Sequence, residues 1–200
     1  MTARLHLPPH PAFEPLRPVL SEGLARVAAG LHAAPFATLL NPLMRQVLQR
    51  GFEEATAHEG TVWLLDAAGE HLTPAYNTGP RAAEMVGRFA LPLNVGLISM
   101  VFASEQPFLE NEVWKNTQQS KHLDALLQVQ TSAMIAVPFG FLQGCRGVVS
   151  CVQLSRPGVP EPEPPGFRPE HLASVQRATA LLSQLVEYHL LSRLVGWTCE

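Results

Sequence analysis

At 200 residues and 21.8 kDa the chain has the length of one domain with appendages, ample to bury a core. Its 14 Lys plus Arg against 17 Asp plus Glu leave a formal net charge of -3, which offers no long-range attraction to phosphate backbones or anionic lipid and counts against nucleic acid and membrane as partners. No apolar run approaches the roughly 20 residues that span a bilayer, MTARLHLPPHPAFEP lacks a hydrophobic signal core, and three cysteines are too few for a disulfide framework, so the expected location is cytoplasmic.

Residues 1–18 carry Pro8, Pro9, Pro11, Pro15 and Pro18 and are expected as an extended lead-in, with a single domain over 19–200. From Ser21, a candidate N-cap, SEGLARVAAGLHAA spaces Leu24, Val27, Ala28 and Leu31 for a short helix that Pro35 ends or bends. A second helix is expected over 36–57, with Leu39, Leu43, Val47 and Phe52 near one face and Asn41-Pro42 interrupting or beginning it. GTVWLLD (60–66) and EHLTPAYN (70–77), joined across Ala67, Ala68 and Gly69, read as a β-hairpin.

GPRAAEMVG (79–87) predicts one or two helical turns, FALPL (89–93) a short strand, and NVGLISMVFASEQ a helix. PFLENEV reads as a short extended piece, and a further helix falls near 121–128. The clearest strand pair is TSAMIAVPFGF (131–141) with CRGVVSCVQLSR (145–156). Ala133, Ile135, Val137 and Phe139 form one alternating set and Met134, Ala136 and Pro138 the other, so neither face suits water and the sheet should carry layers on both sides.

PGVPEPEPPG (157–166) is a proline-rich acidic linker to a terminal helix that begins near Pro169 or Glu170. That helix bears two apolar stripes. One contains Leu172, Val175, Ala178, Leu182, Leu185 and Val186; the other, Leu181, Tyr188, Leu191 and Val195, needs a second surface and marks an expected homodimer interface.

The order helix, hairpin, helical middle, hairpin, long helix resembles the GAF domain family over roughly residues 36 to 195. The resemblance is carried by EGTVWLLDAAGEHLTPAYN, by LPLNVGLISMVFASEQPFLENEV with Gly96 opening a helix, and by AMIAVPFGFLQGCRGVVSCVQL followed by FRPEHLASVQRATALLSQL. It implies an α+β fold of GAF/PAS type, a central antiparallel sheet with helices on both faces and a long C-terminal helix. It also implies a small-molecule site over the sheet near Tyr76, Asn77, Ser99, Asn111, Trp114, His122 and Met134. The NKFDE-type signature of cyclic-nucleotide-binding members is not recognisable, since NTQQSKHLDALL stands in its place, and no cofactor is named by the sequence.

Each candidate has a plainer reading beside the functional one. Trp114 offers a face for a planar ligand or packs under a loop; Asn111 hydrogen-bonds a ligand or caps a turn; Met85, Met100 and Met134 line a soft pocket or fill core gaps. His6, His10, His58, His71, His122, His171 and His189 are scattered, without HExxH or CxxC spacing for a metal. No Walker loop, GxSxG or GxGxxG occurs, and Glu53, Glu54, Glu84, Glu110 and Glu112 read as solvated surface.

Cys145 and Cys151 lie six residues apart, roughly 20 Å along one regular strand, too far to bond each other, and Cys199 sits in the tail. The free methionine-R-sulfoxide reductases, an enzyme branch of this architecture, need reactive cysteines held by the middle loops, where this chain has none. The expectation is therefore a non-catalytic sensing or regulatory domain. The alternatives are a scaffold that binds another protein and, behind it, a cysteine-dependent redox enzyme.

Overall fold

Six strands follow from the alternating segments: β1 (Glu59–Leu65), β2 (His71–Asn77), β3 (Leu91–Pro92), β4 (Phe108–Glu110), β5 (Gln130–Phe141) and β6 (Gly144–Ser155). The computed structural model describes residues 11–142, 144–155 and 162–196. The strands form one antiparallel sheet in the order β3-β2-β1-β6-β5-β4, so the two hairpins meet where β1 pairs with β6. The two alternating sets of β5 each receive a layer: Ala133, Ile135, Val137 and Phe139 enter one buried cluster, Met134 and Ala136 the other.

Over the first face lie α1 (Leu16–Ala29), α2 (Ala33–Leu39), α3 (Pro42–Glu54) and α7 (Pro169–Leu194). Phe36 of α2 sits between Phe139 and Phe141, edge-on to one and stacked on the other. Asn41 separates α2 from α3 by capping: its Oδ1 accepts from the Met44 N–H at 2.9 Å, and Pro42 occupies the first turn, where no N–H is needed. Gly51 lets α3 and α7 approach closely, since a methyl group there would meet the Ala178 Cβ at 2.5 Å.

Over the second face lie α4 (Ala82–Met85), α5 (Gly96–Ser104) and α6 (His122–Leu127), three short helices that lean on the sheet through Met85, Leu97, Ile98, Val101, Leu123 and Leu127. A 3-10 turn at Val113–Lys115 follows β4. This thinner, loop-rich layer is where interior space remains.

Four local expectations change. The first helix begins at Leu16 rather than Ser21, because Pro15 and Pro18 fall in a first turn whose N–H groups lack intrahelical partners anyway; residues 11–18 are therefore not extended. The helix expected over 36–57 is interrupted at Asn41-Pro42, one of the two outcomes that pair allowed, and is two helices, the first starting earlier at Ala33. FALPL shrinks to the pairs His71 with Pro92 and Leu72 with Leu91, as Phe89 turns inward to meet the Trp63 ring. Residues 162–168 have no regular structure but are pinned: Gly166 N–H donates to Gln153 Oε1 at 2.9 Å, and Asn111 bonds both N–H and C=O of the buried Phe167. The rest of the linker, together with His6, His10 and Cys199, lies outside the described residues.

Along α7, Val175, Ala178, Leu182 and Val186 are buried and Leu172 and Leu185 partly so, as the first stripe requires. The second stripe divides. Leu191 packs against the protein's own core beside the buried Leu190, because α1 crosses the end of α7 there, whereas Leu181, Tyr188 and Val195 stay 44 %, 70 % and 56 % exposed. Glu187 ties the helix to the sheet by accepting from the Leu142 N–H at 2.8 Å, in the turn between β5 and β6. Among the described residues no helix is long and apolar enough to cross a membrane.

Candidate functional site

The strand period of two decides what lines the interior space. In β1, Val62 and Leu64 point into the helix-covered core, which leaves Glu59, Thr61 and Trp63 on the opposite face. In β6 the same rule turns Ser150, Val152 and Leu154 that way and Val149 and Cys151 the other. Because Thr61 sits opposite Ser150 and Trp63 opposite Val148, the indole reaches diagonally, and its Nε1–H donates to Ser150 Oγ at 2.9 Å.

These residues floor a cavity of about 70 Å³, roofed by Leu97 and Ile98 of α5, Leu123 and Leu127 of α6, and Gln119 and Ser120 of the preceding loop. A single water needs about 10–15 Å³ of such space, so the cavity holds several waters or a molecule of a few non-hydrogen atoms. Its walls are mostly apolar, with Glu59, Thr61 and Asn77 together near the start of β1 and the end of β2 and Gln119, Ser120, Asp124, Thr131 and Ser150 elsewhere in the lining, a few polar groups in an apolar surface as in ligand sites.

Several polar groups in the wall have protein partners. Asn77 Nδ2 donates to Thr61 Oγ1 at 2.9 Å while its Oδ1 accepts from the Gly79 N–H at 2.7 Å. Asp124 accepts from both the N–H and the hydroxyl of Thr131, at 2.9 and 2.7 Å, which fixes α6 to the start of β5. Glu59 differs: it forms no ion pair among the described residues, and it stands between the cavity and an outer groove that holds His58 and Arg81. Burial pushes its carboxyl above the ordinary value, against the opposing pull of Asn77 and of the nearby His58 and Arg81. Gly79 closes its flank, since a methyl group there would overlap the carboxylate.

Of the residues expected near a ligand, Asn77 and Met134 line this cavity. Tyr76, one position along from Asn77, points to the opposite side of the sheet, where the Arg45 guanidinium lies 5.3 Å from its ring centre. Ser99 is buried and donates to the Pro92 carbonyl at 2.8 Å, locking α5 to β3. His122 is exposed and stacks on Phe89, so it touches the cavity wall only from behind. Asn111 is committed to Phe167, and Trp114, 37 % exposed with Lys115 over its ring, borders a separate surface hollow near Gly166.

Glu59, Thr61, Trp63, Asp124, Thr131 and Ser150 are wall residues that the sequence reading did not single out. Alternation in GTVWLLD already places Thr61 and Trp63 on one face; nothing local marks Ser150, 87 positions from the indole it binds. The two described cysteines are both poor nucleophiles. Burial pushes the Cys145 thiol up, and drives that of Cys151 up to about 12. Among the described residues, no group of three or more His, Cys, Asp and Glu gathers to hold a metal.

A six-stranded antiparallel sheet with a long C-terminal helix on one face and short helices enclosing a cavity on the other is the fold of GAF domains. Solved structures agree. The GAF domain from a phosphoenolpyruvate-protein phosphotransferase of Coxiella burnetii aligns with a TM-score of 0.60 and 17 % identity, covering 90 % of this chain and 97 % of that one. The GAF-B domain of DevS from Mycobacterium smegmatis aligns at 0.52 and 20 %, covering 76 % and 94 %. A type II free methionine-R-sulfoxide reductase from Thermoplasma acidophilum aligns at 0.56 and 16 %, covering 76 % and 96 %. No family model matches the sequence, and no curated protein matches it by sequence comparison. Identities this low establish the fold alone.

Proposed function

We propose that this chain is a non-catalytic regulatory module of the signalling type that binds a small molecule in the cavity above its sheet and dimerises through its terminal helices. The observation that carries the reading is the cavity: apolar on most sides, roofed by short helices, with Glu59, Thr61 and Asn77 close together in its wall. The exposed Leu181 and Tyr188 on α7 and Val195 just past its end, with Leu16 and Val19 on α1, support a helix-mediated homodimer, because a second copy would cover apolar surface that the fold leaves in water.

Two other readings carry less support. A scaffold that only binds another protein has no use for interior space with polar groups in its wall. A cysteine-dependent reductase needs a thiolate, and neither described thiol favours one: Cys151 is buried and Cys145 shares its sulfhydryl with the Phe139 and Gly147 carbonyls. The similarity to a reductase extends to backbone shape and supplies no nucleophile.

Native mass spectrometry on protein purified without denaturation from the cells that make it tests the proposal. The expected spectrum is a dimer with a reproducible added mass, lost in Val152→Phe, which places a ring in the cavity. A bare monomer that retains nothing from a metabolite mixture sinks the reading.

A further inference from the structure

The cavity carries a charge pattern that narrows its ligand. Its described lining includes two carboxylates, Glu59 and Asp124, and no lysine, arginine or histidine. Asp124 is occupied by the two hydrogen bonds from Thr131, whereas Glu59 takes a hydrogen bond from Asn77 and forms no salt bridge among the described residues. The two basic groups nearest to it, His58 and Arg81, border the outer groove, and Arg81 is already engaged by Glu84. Glu59 therefore brings a half-buried negative charge to the wall of a mostly apolar space, with Gly79 against its flank.

An anion entering this space would face the like charge of Glu59, and a neutral molecule would add no charge to the partial compensation that Asn77, His58 and Arg81 give that carboxylate. We infer that the ligand is a small organic cation, a primary or secondary ammonium ion on a short apolar body, whose N–H groups donate to the Glu59 carboxylate while its carbon chain lies against Leu97, Met134 and Val152. The assignment rests on the ligand-binding reading above and specifies its chemistry. The volume of about 70 Å³ limits the body to a few carbons without rearrangement of α6.

The test is a titration of the full chain with three probes of one size, propylammonium, 1-propanol and propionate, followed through the Trp63 indole N–H resonance in ¹H–¹⁵N spectra. Propylammonium is expected to shift that resonance saturably and to bind about tenfold more tightly than propanol, with propionate inert. Glu59→Gln, which keeps the shape, is expected to bring propylammonium down to the propanol level while leaving propanol unchanged. Equal binding of propanol and propylammonium to the wild type, or an unchanged ammonium affinity in E59Q, overturns the cation assignment and leaves the cavity reading standing. Failure of all three probes to move the Trp63 resonance overturns both.

Discussion

Replacing Ser150 with alanine removes the hydrogen-bond acceptor of a buried indole and measures how the cavity floor is held together. Trp63 and Ser150 are each 4 % exposed, and the bond between them is 2.9 Å long. Loss of the hydroxyl leaves an N–H donor among apolar side chains, which costs about 1–3 kcal/mol. The cavity next to it has room for water, and a water that takes over the acceptor role would hold the cost near the lower end, about 1 kcal/mol. For a domain of this size, about 1 kcal/mol moves Tm by roughly 2–4 °C. Urea unfolding of wild type, Ser150→Ala, Trp63→Phe and the double variant, followed by circular dichroism, closes a double-mutant cycle. The expected coupling is about 0.5–1.5 kcal/mol, because Ser150→Ala costs little once the donor is gone. Additive single effects, with Ser150→Ala indistinguishable from wild type, would refute the bond and with it the placement of Trp63 in the wall.

Neighbouring positions on α7 should behave in opposite ways: Leu182→Ala, at a fully buried site, should cost about 2–5 kcal/mol in unfolding, while Leu181→Glu and Tyr188→Glu should leave the fold intact and shift sedimentation from dimer to monomer. A wild-type monomer at tens of micromolar would remove the dimer from the account. The raised pKa of Glu59 means the folded state binds its proton more tightly than the unfolded chain does, so its contribution favours folding at low pH and is lost as pH rises from the unfolded value of 4.5 through the folded value. Glu59→Gln should therefore be more stable than wild type at pH 7 and flatten that part of the stability profile; a less stable variant at pH 7 contradicts the burial argument. Iodoacetamide followed by peptide mapping should leave Cys151 unmodified in the native state and label Cys145 slowly, whereas rapid alkylation of either at pH 7 would reopen the case for thiol chemistry.

Much of the fold was legible because each element had a local cause. The two apolar sets of β5 announced a sheet covered on both sides, and the breaker pair Asn41-Pro42 marked the point where one helix gives way to the next. Prolines misled at the N-terminus: their cost depends on position within a helix, and Pro15 and Pro18 sit where the missing N–H is of no consequence. The site was less legible. Asn77 and Met134 reach the cavity, yet Tyr76 is turned away by the strand alternation that brings Asn77 in, and Asn111 serves a distant loop at Phe167. The pairing of Trp63 with Ser150 depends on the register of β1 against β6, a long-range property that no window of sequence contains.

The central claim, that the space above the sheet is a ligand site, is met most directly by a crystal structure of protein taken from its native cells without denaturation. The account predicts continuous density, larger than isolated waters, between Trp63, Asn77, Leu97 and Met134, and contact between that density and Glu59. Side chains collapsed into the space, or ordered waters alone, would contradict it.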